Sequence, residues 1–99
     1  MARLALEQSA QADLERLADF LAAGDPEAAA ETASLIFDAL SVLERHPLIG
    51  RPAEEGLREL VISRGRSGYV ALYDYVESQD LVVVHALRHQ REAGYPGVR

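Results

Sequence analysis

The chain has 99 residues, which corresponds to one small domain over residues 1–99 rather than two domains. Its hydrophobic fraction of 48% and charged fraction of 26% are typical of a folded globular protein and exclude a disordered chain. The net charge of −6 argues against a nonspecific nucleic-acid coat, and the absence of cysteine excludes disulfides and thiol nucleophiles.

The N-terminal residues lack the apolar core of a secretion signal, and no apolar run approaches the roughly 18 residues that a membrane span needs. We therefore expect a cytoplasmic protein that makes no membrane contact. The sequence also contains no metal-ligand spacing, glycine-rich phosphate loop or nucleophile elbow. No metal and no cofactor are predicted.

The first half of the chain predicts a strand followed by two helices. Alternating leucines favour a short strand over Arg3–Glu7, and apolar residues at helical spacing predict a helix over Ser9–Ala23. Asp25 and Pro26 are typical of a second helix start, and that helix is predicted to reach about His46. Because the connection between the two helices is so short, we expect an antiparallel helix hairpin.

The second half predicts strands. Residues 47–56 are rich in proline and glycine and form an irregular connector. The following segments, Leu57–Ser63, Tyr69–Val76 and Leu81–Leu87, are rich in β-branched and aromatic residues and are joined by short turns. The predicted fold is α+β, with the N-terminal strand and the antiparallel helix hairpin packed on one face of a small antiparallel β-sheet.

Charge is divided between the two halves. Residues 7–44 carry nine acids against one arginine, whereas residues 57–99 carry six arginines against five acids. The predicted helices are therefore strongly acidic, and the basic groups collect on the predicted sheet and in the C-terminal segment. Since the apolar strand pattern stops after Leu87, we expect the segment beyond it to be functional rather than part of the fold.

Three short motifs together resemble a known family. They are Gly50-Arg51-Pro52, the run Gly56-Leu57-Arg58-Glu59-Leu60, and the ending Arg88-His89-Gln90-Arg91 after the last strand. This combination is similar to the RelE/ParE toxins of bacterial type II toxin–antitoxin modules, and is closer to the ParE side. The resemblance implies a small cytoplasmic growth inhibitor that is neutralised by a cognate ParD-like antitoxin and does not itself bind DNA sequence-specifically.

Two activities occur within that family. RelE-like members cut mRNA on the ribosome, whereas ParE-like members inhibit DNA gyrase and cleave no bond. RNA cleavage needs a proton acceptor, a cation beside the phosphate and an acid for the leaving oxygen. The candidates for a nuclease site here are Arg64, Arg88, His89, Arg91 and Tyr95.

Histidine is the residue type most able to act as the base, because arginine keeps its proton. Strand alternation places His85 and Leu87 on one face of the strand and Arg88 on the other. His85 is therefore expected to be partly buried and hydrogen-bonded. His89 lies at the strand end and is the better base candidate. The chain lacks the lysines that are typical of RelE-like sites, which favours the binding interpretation.

A binding surface requires only a patch of cationic and aromatic groups that recognises a large partner. The predicted target-binding residues are Arg58, Arg64, Arg66, Arg88, Arg91 and Tyr95. The antitoxin is expected to cover the apolar stripe of the helix hairpin, with contacts to Leu14, Leu17, Leu21, Ile36 and Phe37.

Overall fold

The computed structural model of the chain describes residues 1–64, 67–92 and 95. Two helices and five strands follow one another in this part of the chain. Their bounds are β1 (Arg3–Leu6), α1 (Gln8–Ala22), α2 (Pro26–Ser41), β2 (Arg51–Pro52), β3 (Arg58–Arg64), β4 (Ser67–Val76) and β5 (Leu81–His89). No helix within the described ranges is both long enough and apolar enough to cross a membrane.

The second helix begins where the sequence predicts and ends earlier. The Asp25 carboxylate accepts the backbone N–H groups of Glu27 and Ala28 at 3.1 and 3.3 Å, which satisfies two of the free donors at the start of α2. The prediction that this helix continues to about His46 was wrong. The chain tightens into a 3-10 turn over Val42–Glu44, which turns Leu43 into the core.

The strands form one sheet in the order β1-β5-β4-β3-β2. All neighbours from β2 to β5 are antiparallel, as predicted, but β1 runs parallel to β5, from Arg3 opposite Leu81 to Leu6 opposite Val84. The sheet is therefore mixed. β1 and β5 lie at opposite ends of the chain, and a parallel pair needs such a long connection because no hairpin can join it.

Both helices lie on one face of this sheet. α1 packs against β5 and α2, and α2 also reaches β3. The layer between helices and sheet holds the core, because its side chains are removed from solvent. Its largest fully buried members are Tyr73, Ile36, Leu40, Leu43, Leu87, Val82 and Val84.

A β-bulge near the middle of β5 decides which residues face the helices. Tyr73 pairs with Val84, but its neighbour Leu72 pairs with Ala86, so β5 carries one extra residue at His85. Beyond the bulge, Leu87 joins Val84 on the helix face. The predicted shared face of His85 and Leu87 was wrong, since simple alternation does not allow for an inserted residue.

Buried polar contacts from α1 support the bulge. The Asp13 carboxylate accepts the Leu87 backbone N–H at 2.9 Å, and the Ser9 hydroxyl donates to the His85 carbonyl at 2.6 Å. His85 is partly buried, as expected, and its Nδ1 lies 3.0 Å from a carboxylate oxygen of Glu7. The first helix therefore fixes the last strand through its backbone as well as through apolar packing.

Candidate partner-binding surface at the end of the last strand

Arg88 holds the turn that follows β5. It faces away from the helices, on the side of the sheet opposite Leu87 and His89. Its Nη1 donates to the carbonyl oxygens of His89, Gln90 and Glu92 at 3.2, 3.2 and 3.0 Å. Nη1 of this partly buried guanidinium is thus engaged with backbone carbonyls, whereas its Nε is buried and has no hydrogen-bond partner within the described residues.

Glu92 ties the same turn to α1. One carboxylate oxygen accepts the His89 backbone N–H at 2.9 Å, and the other lies 3.1 Å from Nη1 of Arg16. Arg16 also lies 3.9 Å from the buried Asp13. Residues 88–92 are therefore built into the fold, and the expectation that the segment after Leu87 is not part of the fold was wrong for these residues.

Tyr95 closes over the open face of the sheet. Its hydroxyl donates to a carboxylate oxygen of Glu59 at 2.5 Å, and its ring lies over Arg88, with the guanidinium carbon 5.0 Å from the ring centroid. Burial, followed by the bond to Glu59, raises the pKa of Tyr95 to about 12. The pKa of Glu59 is lowered, first by the Tyr95 hydrogen bond and then by its ion pair with Arg51 at 3.0 Å.

Glu59 was missed by the sequence analysis. It lies in the quoted Leu-Arg-Glu-Leu motif, but nothing in the sequence connects residue 59 with residue 95. Alternation along β3 places Arg58 towards the helices and Glu59 on the open face of the sheet, which is the face opposite the helices. Of these two neighbours, Glu59 is therefore the one that meets Tyr95.

Arg58 does not lie with Arg88. Its Nη1 donates to the carbonyl oxygens of Leu48 and Gly50 at 3.1 and 2.8 Å, and it therefore fastens the connector to β3. Its target contact stays a prediction, and the structure gives Arg58 this internal role. Arg64 ends β3, and its backbone pairs with Ser67, whereas Arg66 lies outside the described residues.

His89 also makes internal contacts. Its Nδ1 accepts the Arg91 backbone N–H at 3.1 Å, and its ring meets Tyr69 edge to face with centroids 5.3 Å apart. A neutral imidazole that accepts at Nδ1 carries its proton on Nε2. In this arrangement the Nδ1 lone pair is occupied by the backbone of the following turn.

The predicted antitoxin contacts divide by burial. Leu17 and Ile36 are only 6% and 0% exposed and lie in the core, so their surface is not available to a partner in this structure. Leu14 and Leu21 are partly buried, and Phe37 is 48% exposed. Phe20 is 81% exposed and was missed, because it lies one position away from the apolar stripe of α1.

An apolar groove lies between the second half of α1 and the end of β5. Its volume is about 730 Å³, which is within the range of binding pockets. Its apolar lining comes from Leu17, Phe20, Leu21 and Tyr69. Its polar lining comes from Arg16, His89, Arg91 and Glu92.

The comparisons with known proteins agree with this fold. The family model described as "ParE toxin of type II toxin-antitoxin system, parDE" matches residues 4–94. The chain belongs to this ParE toxin family. Toxin RelE3 of Caulobacter vibrioides is 34% identical over 92 residues, which cover 93% of this chain and 98% of the relative.

A solved structure shows the same fold. The ParE-family chain described here superimposes on a chain from "Chromosomal ParDE TA system from P. aeruginosa" with a TM-score of 0.76 and 24% identity. The match covers 90% of this toxin and 96% of that chain. The resemblance inferred from the three motifs is thus confirmed, together with the α+β architecture.

Proposed function

We propose that this toxin inhibits growth by binding a large target, of the DNA gyrase class, and that it cleaves no RNA. A ParD-like antitoxin neutralises it, and it acts in the cytoplasm. Membership of the ParE toxin family supports the toxin role and the antitoxin partner. The choice between binding and cleavage rests on the residues at the end of β5.

The observation that carries this choice is that three of the five candidate catalytic groups already make hydrogen bonds within the fold. The Tyr95 hydroxyl donates to Glu59, the Arg88 guanidinium donates to three carbonyls, and His89 Nδ1 accepts a backbone N–H. RNA cleavage would need these groups to act on a phosphate and a ribose hydroxyl. The Glu59 carboxylate, beside Tyr95 and Arg88, would in addition repel a phosphate.

Arg91 is the best-placed cation for a target. Its side chain is exposed, and within the described part of the chain its guanidinium forms no ion pair, whereas Arg88 and Arg16 are both engaged. We assign target contact to the turn that carries Arg91. In this assignment Arg88 and Tyr95 position the turn rather than meet the target.

The proposal is tested by adding the purified protein to a gyrase supercoiling assay and, separately, to ribosomes programmed with mRNA. Inhibition of supercoiling with intact message is the expected result. Arg91→Glu should reduce the inhibition at least tenfold. Arg45→Glu is the control, since Arg45 is an exposed arginine outside the turn after β5, and it should leave the inhibition unchanged. Cleavage of ribosome-bound message, lost on His89→Ala, would overturn the proposal in favour of a RelE-like nuclease.

A further inference from the structure

The outer edge of β3 is only partly paired. Its inner edge lies against β4 along the whole strand, whereas β2 on the outer side reaches only Arg58 and Glu59. Beyond Glu59, no described strand pairs with the outer edge, so residues 60–64 form the border of the sheet on this side. This unpaired stretch is the β3 edge. Such an edge presents backbone N–H and C=O groups to which a further strand can bond.

The outward backbone groups of the β3 edge belong to Val61 and Ser63. In an antiparallel pair, successive residues direct their N–H and C=O groups to opposite sides of the strand. The Leu57 carbonyl accepts the Ala53 N–H at 2.8 Å on the outer side, so the same alternation turns Glu59, Val61 and Ser63 outward. The even-numbered residues of β3 are the ones that bond β4. An N–H and a C=O of each outward residue therefore point away from the sheet.

The opposite edge of the sheet, at β1, is covered by the chain itself. The Glu44 carbonyl accepts the Ala2 N–H at 2.8 Å, and the Gln11 side chain donates to the Leu6 carbonyl at 3.0 Å. These contacts occupy outward backbone groups at both ends of β1 and hinder the addition of a strand there. Of the two borders of the sheet, the β3 edge is therefore the one open to a partner strand.

The β3 edge is complementary to itself. A two-fold axis at Ile62 places Val61 of one copy opposite Ser63 of another, and the same pair recurs on the other side of the axis. The two residues of each pair exchange both N–H···O bonds, so every outward group finds a partner. Because paired residues point to the same face, both helix layers lie on one side of the joined sheet.

Side-chain chemistry also favours a second copy at this edge. The chain has a net charge of −6, so its copies repel each other unless they meet through an uncharged surface. Residues 60–63 are Leu-Val-Ile-Ser and carry no charge. The Val61 side chain is 40% exposed on the open face, and the two copies of Val61 become diagonal neighbours across the axis.

We propose that the β3 edge pairs antiparallel with the β3 edge of a second copy of this chain, which joins two five-stranded sheets into one sheet of ten strands. The pairing involves only residues 60–64 of each copy, so it is weaker than a permanent dimer and depends on protein concentration. The open faces of the two copies, each with its Glu59–Tyr95 contact, lie side by side in this dimer. The inference does not depend on the identity of the target.

Sedimentation equilibrium of the full chain over a wide range of concentration measures this association for wild type, Val61→Pro and Val61→Thr. Proline removes the outward N–H of residue 61 without breaking a bond to β4, and proline is tolerated at such an edge. Threonine keeps that N–H and the branched shape, so Val61→Thr is the matched control. Val61→Pro should associate at least tenfold more weakly, and Val61→Thr should stay within threefold of wild type.

Amide hydrogen exchange of the wild-type chain gives a second readout that does not need a variant. The Val61 and Ser63 N–H groups should exchange more slowly as the protein concentration rises, because the second copy accepts them. The Ile62 N–H bonds β4 in each copy, so its protection should not change. Retained protection of Ile62 in Val61→Pro also shows that this variant keeps its sheet.

A wild-type chain that stays monomeric at the highest concentration would overturn the inference. A dimer in which Val61→Pro associates as strongly as wild type, or in which Val61 and Ser63 stay unprotected, would overturn it as well. If these two amides are protected only when the protein that restores growth to toxin-producing cells is added, the edge accepts an antitoxin strand and the inference fails. The supercoiling assay tests the proposed function separately, since self-association is measured without gyrase.

Discussion

Tyr73 lies fully buried in the middle of the sheet, and its hydroxyl accepts the backbone N–H of Gly50 at 2.8 Å. This bond satisfies a polar group that would otherwise be unpaired in the core. It also explains why the connector carries glycine at this position. A Cβ atom on residue 50 would lie 2.6 Å from the Tyr73 ring and 2.8 Å from the Glu59 carbonyl oxygen.

We therefore expect Gly50→Ala to lower the free energy of unfolding by about 1–3 kcal/mol, because the buried ring and a strand backbone must move. Gly24→Ala is the control, since its nearest neighbouring atom would be 3.9 Å away. Urea unfolding of both variants measures the difference. Equal stability of the two variants would contradict the close approach at Gly50.

Asp13 gives a second prediction for a single residue. Burial raises its pKa, against the smaller opposing effects of the Leu87 N–H and Arg16. Because the pKa of this carboxyl is higher in the folded state, its protonation stabilises the folded state at pH values below the unfolded-state pKa. This contribution is lost as the pH rises through the folded-state pKa. Asp13→Asn cannot ionise, so its stability relative to wild type should increase as pH rises from about 3 to 7.

Chemical unfolding at several pH values measures this trend. Asp13→Ala should be destabilised by about 1–3 kcal/mol throughout, because it leaves the Leu87 N–H without an acceptor. A relative stability of Asp13→Asn that falls with rising pH would contradict the assigned direction of the pKa.

At the scale of elements, the end of β5 depends on contacts from α1. Glu92 joins Arg16 of α1 to the His89 N–H, and Asp13 holds Leu87 just before it. The helix and the turn are therefore one unit, although they lie far apart in the sequence. Removal of the Glu92 carboxylate should therefore loosen the turn that carries Arg91.

Glu92→Ala tests this link, with the exposed Glu15→Ala on α1 as control. We expect the free energy of unfolding of Glu92→Ala to fall by about 1 kcal/mol, since Arg16 is partly exposed and solvent screens its ion pair with Glu92. Amide hydrogen exchange at His89 should become faster in Glu92→Ala and stay unchanged in Glu15→Ala. Unchanged protection at His89 would show that the turn does not need the carboxylate.

Much of this arrangement could be predicted from local patterns. The apolar spacing of α1 and the Asp25-Pro26 start of α2 are local signals that each involve residues close together in the sequence. Both helices could therefore be predicted. The direction of β1, the bulge at His85 and the Glu59–Tyr95 bond depend on partners that are distant in sequence. No local pattern contains that information, which is why the sequence did not show that Arg58 and Arg88 lie on opposite faces of the sheet.

At the scale of the whole molecule, the face of the sheet opposite the helices is also partly removed from solvent. Val70 and Ala86 lie on the face opposite the helices and are nevertheless buried, at 1% and 0% exposure. Tyr95 lies on that face, over Arg88 and bonded to Glu59. One face of the sheet is therefore covered by the helices, and the other includes buried residues and the contacts of Tyr95.

A chain that ends at His89 is expected to unfold at a lower temperature than the full chain, as well as to lose toxicity. It lacks Glu92 and Tyr95 and leaves the Arg88 guanidinium without two of its carbonyl partners. Thermal unfolding followed by circular dichroism compares the two chains. An unchanged midpoint would mean that the segment contributes nothing to the fold.

The most direct measurement of the central claim is growth inhibition by toxin expressed without antitoxin, compared between Tyr95→Phe and Arg91→Glu. Tyr95→Phe removes the hydroxyl and keeps the ring over Arg88, so a toxin that binds its target should still arrest growth. Arg91→Glu should abolish the arrest at equal protein level. Normal growth with a stable, well-expressed Tyr95→Phe variant would show that toxicity requires the hydroxyl itself, and would contradict the account in which the cation of Arg91 makes the target contact.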